Sequence, residues 1–174
     1  MPLVLNGTTG VQDNSGAFVA GTAVASTSGT SIDFTGIPSW VKRITVNFSG
    51  VSTNGASPLL LQIGDSGGVE NTDYSGMSGL MHSTGANTYT GVTSGIPLGY
   101  STMSAASTYS GTLTITNLSG NEWTVAGTLA TTGVLYLMGF AGVKTLSATL
   151  DRVRITTVNG TDTFDAGSIN ILYE

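Results

Sequence analysis

A serine nucleophile needs a histidine to take its proton and a carboxylate to orient that histidine. One stretch offers a serine in a familiar setting. Gly64-Asp65-Ser66-Gly67-Gly68 satisfies G-x-S-x-G and matches the string around the nucleophile of trypsin-like proteases. The rest of the machinery is missing. His82 is the single histidine and follows Ser66, whereas the trypsin-like order is His, Asp, Ser; the Pro that usually follows the string is Val69 here. His82 also comes too soon for the distant His of an α/β-hydrolase, a fold that requires helices this sequence does not announce. The string therefore reads as a Gly-rich turn after an apolar strand, and no catalytic residue is assigned.

Asp65, Glu70 and Asp73 place three carboxylates in nine residues. Oxygen ligands of this kind suit hard cations, so these three are the candidate calcium ligands, although the spacing does not fit an EF-hand loop. An acidic loop simply solvated is the plainer reading, and no cofactor is required. Asp162 and Asp165, flanking Phe164, read as a solvated turn. Lys42, Arg43, Arg152 and Arg154 hold four of the five positive charges. Arg152 and Arg154 share a strand face, where they serve either as cross-strand partners for acids or in a subunit interface. Phe18, alone among small residues, is a third interface candidate. Tyr74, Tyr89, Tyr100 and Tyr109 fall in or near the loop-rich middle, where exposed rings would offer a stacking platform for a surface glycan. Trp123 has the parity of core residues, and Trp40 sits at a strand entrance.

The chain around these residues is poor in charge. Of 174 residues 9% are charged, 25 are Gly and 48 are Ser or Thr, against about 25% charged in ordinary domains. A mean hydropathy of +0.23 and a net charge of −5 still allow a core. Five basic residues against ten acidic ones leave no footprint for nucleic acid. No apolar run approaches the roughly 18 residues of a membrane span, and the start lacks the pattern of a secretory signal peptide. With no Cys, disulfides, thiol chemistry and Cys-based zinc sites fall away.

Period-2 alternation dominates, and helical spacing is absent. Ile44, Val46 and Phe48 alternate with Thr45 and Asn47, and Leu113 and Ile115 with threonines. Trp123, Val125 and Leu129 share a parity, with Gly127 at a bulge or close approach. Val153 with Ile155, and Ile169, Ile171 and Tyr173, repeat the pattern. Leu59 to Ile63 and Val134 to Phe140 are continuous apolar runs that read as strands buried on both faces. Asn54-Gly55 and Asn159-Gly160 predict type I′ hairpin turns, and Ser119-Gly120-Asn121 a third hairpin. Residues 75–99 read as a long loop with one or two short strands. The prediction is an all-β, antiparallel β-sandwich or jelly-roll-like domain over residues 31–174. Residues 1–30, almost wholly Gly, Ser, Thr, Ala and Val from Asn6 on, form an extended arm for attachment or trimerisation that must lean on the domain, a neighbour or an assembly.

Two stretches carry a resemblance: Thr30-Ser-Ile-Asp-Phe-Thr-Gly-Ile-Pro-Ser-Trp-Val-Lys-Arg-Ile-Thr-Val-Asn-Phe-Ser-Gly-Val-Ser-Thr-Asn-Gly55, and the closing Leu146-Ser-Ala-Thr-Leu-Asp-Arg-Val-Arg-Ile-Thr-Thr-Val-Asn-Gly-Thr-Asp-Thr-Phe-Asp-Ala-Gly-Ser-Ile-Asn-Ile-Leu-Tyr-Glu174. Both resemble segments of bacteriophage and prophage virion proteins of the tail-fibre type, and Asn6 to Gly21 is similar to fibre-like virion sequences. The likeness covers about half the chain and carries no catalytic motif. It implies a non-enzymatic virion protein on the particle's exterior, assembled in the host cytoplasm, usually a homotrimer bound to other virion proteins. A tail-fibre or fibre-tip protein would meet a host-surface glycan through the 66–100 loops; a capsid-decoration or head-fibre protein would sit on the shell.

Overall fold

The computed structural model describes residues 5–6, 10–11, 18–81, 88–100, 103–133 and 136–174. All sixteen elements assigned among them are strands, and every pairing is antiparallel. Leu5–Asn6 (β1) and Gly10–Val11 (β2) pair with each other. A large sheet runs in the order β10 (Thr88–Gly91), β9 (Ser75–Met81), β14 (Tyr136–Thr145), β13 (Glu122–Thr132), β12 (Thr108–Ser119), β6 (Arg43–Thr53), β16 (Phe164–Tyr173). Beyond β16, its edge is closed by β3 (Val19–Ala20) and β4 (Val24–Ala25). The small sheet runs β11 (Ile96–Pro97), β7 (Leu59–Asp65), β15 (Leu150–Thr157), β5 (Ile32–Thr35), with β8 (Gly68–Val69) folded back on β7. The two sheets pack face to face as a β-sandwich.

Alternation does what it predicts in the large sheet. Ile44, Val46 and Phe48 of β6, Leu113 and Ile115 of β12, and Trp123, Val125 and Leu129 of β13 all point into the core. They meet Leu59, Leu61, Ile63, Val153 and Ile155 of the small sheet. Each such side chain contributes roughly 1.5–3 kcal/mol relative to exposure. Gly127 marks a close approach rather than a bulge: it pairs in register with Leu113, and a Cβ there would lie 2.7 Å from Leu113 Cα. All seven residues of β7 are buried, as its continuous apolar run predicts. Its second face is covered by the 94–95 segment, where Gln62 Nε2 donates to Ser94 O at 2.8 Å.

Four expectations need correction. Tyr136–Thr145 is not buried on both faces; Met138 and Phe140 point inward while Leu137 is 44% exposed, and Val134 lies outside the described residues. Among the described residues 75–81 and 88–99, three strands stand where a loop with one or two was expected, because β9 pairs with both β14 and β10 and β11 with β7; Gly-rich alternation of small and apolar residues hid the period of β9. The Asn-Gly dipeptides are not hairpin turns. Asn54-Gly55 leads from β6 to β7 and Asn159-Gly160 from β15 to β16, so both carry the chain from one sheet to the other. They lie together at one end, where Asn54 N donates to Thr163 O at 2.9 Å and Ser57 N to Asp162 Oδ2 at 2.9 Å. Only Ser119-Gly120-Asn121 forms its hairpin, with Gly120 at φ 52°.

The stretch expected to be an arm lies, from 19 to 29, against the domain. Gly21 N donates to Ile171 O at 2.7 Å and Ser26 N to Gly167 O at 3.0 Å, and the Ser26 side chain is buried on Ala166 O. A chain of small residues without a core of its own gains its hydrogen bonds by lining the open edge of β16.

Candidate interaction face

The Gly64–Gly68 string forms the β7–β8 hairpin. Asp65 pairs with Gly68, leaving Ser66 and Gly67 as a two-residue turn with Ser66 exposed. A nucleophile elbow runs from strand into helix; here strand follows strand. Asp65 Oδ1 accepts from Gly67 N at 2.7 Å, which shapes the turn, and its other oxygen accepts from Ser147 Oγ at 2.7 Å. The Ser147 hydrogen bond, with help from Gly67 N, holds the Asp65 carboxyl below its ordinary pKa. His82 lies outside the described residues.

The three proposed calcium ligands do not gather around a common point. Asp65 is 7% exposed and engaged as above. Glu70 Oε2 lies 2.6 Å from Lys144 Nζ, and Glu70 Oε1 accepts from Ser147 N at 2.7 Å. Burial alone would raise the Glu70 pKa, but the Lys144 and Ser147 hydrogen bonds outweigh it and hold the pKa low. Asp73 stands apart at φ 59°, its Oδ2 accepting from Thr72 Oγ1. Among the described residues no three His, Cys, Asp or Glu side chains form a metal-holding group. The acids instead clamp the β7–β8 hairpin and the following loop to the β14–β15 connection, with Lys144 lying 5.4 Å from the Tyr74 ring centre.

Two of the four tyrosines expected at the surface are core residues. Tyr74 is 4% and Tyr109 2% exposed, and burial pushes both phenols well above their ordinary pKa. The Tyr74 hydroxyl accepts from Ile63 N at 2.7 Å and also contacts Ile63 O and Glu70 O, each at 3.0 Å. Tyr100 is half-buried, edge-on to Tyr136 with ring centres 6.3 Å apart. Tyr89 lies on β10 opposite Gly79. No glycan platform is assembled from Tyr74 and Tyr109, because inward parity in β12 and a hydrogen-bonded seat against β7 claim them.

Of the interface candidates, Phe18 is 70% exposed. Arg154 is the cross-strand partner of Asp33, with Nε and Nη2 at 2.6 and 3.0 Å from its two carboxylate oxygens. Arg152 pairs with its neighbour Asp151 at 2.7 Å. Both guanidinium pKa values are raised, first by those hydrogen bonds.

A broad concave surface lies elsewhere, on the outward side of the large sheet. It is a shallow concavity of about 780 Å³ over β9, β14, β13 and β12, lined by Met77, Gly79, Met81, Ala126, Thr128 and Ala141 among others. Three of its rows run straight across the strands. Met81, Leu137, Ala130 and Ser110 form one; Gly79, Gly139, Thr128 and Thr112 the next; Met77, Ala141, Ala126 and Thr114 the third. Met77 and Met81 are 55% and 52% exposed, Met81 beside Leu137 and Met77 beside Ala141. Sequence reasoning missed this face. Its only signal was the alternation of Met77, Gly79 and Met81 against Ser78 and Leu80, which becomes legible once β9 is known to be a strand.

Comparison with known protein families, with curated proteins and with solved structures finds no match to this chain.

Proposed function

We propose that this chain is a non-enzymatic structural protein of a bacteriophage particle, a β-sandwich module of a tail fibre or fibre tip that takes part in host attachment. The resemblance of residues 30–55 and 146–174 to tail-fibre-type virion proteins suggests the setting. The observation that carries the non-enzymatic part is the use made of the chemistry-bearing side chains. Asp65, Glu70, Lys144 and Ser147 tie a hairpin to its neighbours, Asp33 and Arg154 join two strands, and Ser66 stands in a strand-to-strand turn. The outward side of β9, β14, β13 and β12 adds a broad face whose described lining is uncharged, suited to contact rather than bond-making.

That face also favours a second reading, a capsid-decoration or head-fibre protein. Met, Ala, Gly and Thr offer little to a hydrated sugar and much to another protein surface. A cryo-EM map of the intact particle, with this chain traced into it, separates the two. Density at the tail with the 66–100 segment outward supports attachment, density on the capsid lattice supports decoration, and absence from the particle removes both. Ser66→Ala leaves adsorption unchanged; loss of an activity in that variant would overturn the non-enzymatic reading.

A further inference from the structure

We propose that Asn54 is a site of spontaneous deamidation, where the chain converts its own asparagine to aspartate and isoaspartate, and that the matching Asn159 is protected from it. The inference does not depend on the virion reading. It concerns the two connections that carry the chain between the sheets, 54–58 and 158–163, which lie together at one end of the sandwich.

The step needs only the chain and water. The backbone nitrogen of the following residue loses its proton and attacks the asparagine Cγ. The Cγ–Nδ2 bond then breaks, and Nδ2 leaves as ammonia, carrying that proton, as a succinimide ring closes. Water adds to either imide carbonyl and breaks its bond to the ring nitrogen, leaving aspartate or isoaspartate. Nothing is oxidised or reduced. A glycine next in sequence favours the attack, because no Cβ shields its nitrogen.

Asn54-Gly55 and Asn159-Gly160 both offer that glycine, and both asparagines are exposed to water. Hydrogen bonding separates them. Gly160 N, the nucleophile of the second pair, donates to Thr157 O at 3.0 Å. The Asn159 carboxamide is fixed on both sides: Oδ1 accepts from Thr157 Oγ1, Thr161 N and Asp162 N, and Nδ2 donates to Asp162 Oδ1 at 2.6 Å. That set must break before Cγ can turn to the Gly160 nitrogen. Gly55 N, in contrast, donates to no described residue. The Asn54 carboxamide is held at one point, Thr163 N to Oδ1 at 2.9 Å, and its Nδ2 has no partner among the described residues.

The place gives the conversion a consequence. The Asp162 carboxylate lies so close against Gly55 that a Cβ there would overlap it. Asp162 ties the two connections together, accepting from Ser57 N and from Asn159 Nδ2. A carboxylate at residue 54 sets a second negative charge near it, and like charges repel. Isoaspartate adds a methylene to the main chain at the same point. Both products loosen the junction, so a slow, irreversible ageing step sits at the link between the sheets.

The test is peptide mapping by mass spectrometry of the full chain, held native or unfolded in guanidinium chloride in one mildly alkaline buffer and sampled over time. Each converted site gains the mass of water less that of ammonia. In the native chain Asn54 converts at least about tenfold faster than Asn159, since hydrogen bonds that must break first slow a step by that much. In the unfolded chain the two rates converge. Asn54→Gln, whose ring would need an extra atom, removes the fast conversion. The converted fraction, and Asn54→Asp without ageing, melt about 2–4 °C below the parent. Equal conversion of Asn54 and Asn159 in the native chain, or an Asn54 left intact while the unfolded chain converts, overturns the proposal. A converted fraction of unchanged midpoint overturns the loosening.

Discussion

Lys144 Nζ lies 2.6 Å from Glu70 Oε2, joining the core side of β14 to the segment that follows the β7–β8 hairpin. Lys144 is only 4% exposed and Glu70 a fifth exposed. Lys144→Met removes the cation and leaves Glu70 with its Ser147 hydrogen bonds. Breaking a buried pair from one side costs about 3–5 kcal/mol, and the partial exposure of Glu70 places this case near about 3. The double variant Lys144→Met/Glu70→Leu recovers most of the loss, to within about 1 kcal/mol of the parent. Urea denaturation of the parent, both single variants and the double variant measures the cycle.

The lowered carboxyl pKa values of Asp65 and Glu70 make stability depend on pH on the acid side. Both groups bind protons more weakly in the folded chain than in the unfolded one. Their contribution is therefore fully present above the unfolded values of about 3.9 for Asp and 4.3 for Glu, and is lost as pH falls through the lower folded values. The urea midpoint should hold from neutrality to about pH 5 and fall below it. In Glu70→Gln the acid slope is shallower; an unchanged slope would remove Glu70 from this account.

The Tyr74 hydroxyl is a structural acceptor for Ile63 N, at 2.7 Å inside the core. Tyr74→Phe strips that amide of its acceptor and should cost about 1–3 kcal/mol. Spectroscopically the fold stays β, and adsorption to host cells, where it can be assayed, follows the amount of folded protein. A variant of full stability but impaired adsorption would return Tyr74 to the surface role first expected of it.

Gly127 and Gly139 sit on opposite sides of one sheet and should respond oppositely to the same methyl group. A Cβ at Gly127 would lie 2.7 Å from Leu113 Cα and Thr112 O, so Gly127→Ala should destabilise by about 1–3 kcal/mol through overpacking. Gly139→Ala meets open space and should be neutral or stabilising by up to about 1 kcal/mol. Thermal unfolding of the two variants at one dilute concentration makes the comparison.

Alternation along the sequence determined which faces of the long strands turn inward: Ile44, Val46 and Phe48, Leu113 and Ile115, and Trp123, Val125 and Leu129 are all where their parity puts them. It also fixed the all-β class and the burial of Leu59 to Ile63, because period 2 and continuous apolar runs are local properties of the backbone. Pairing was not local. Asn54-Gly55 and Asn159-Gly160 have the residues of hairpin turns, yet the strands they join belong to different sheets. A turn dipeptide states how the backbone bends and not which strand receives it. Tyr74 and Tyr109 read as surface rings in the sequence for the same reason: polar tips and loop-like neighbours say nothing of a seat formed by distant strands. The outward face depended on tertiary structure most of all. Met77, Met81 and Leu137 are separated by up to sixty residues, and Gly79 meets Gly139 only through the register of β9 against β14. The sequence determined each strand's two sides, and only long-range register decided which sides lie next to one another, because a one-residue slip would turn every side chain of a strand to the opposite face.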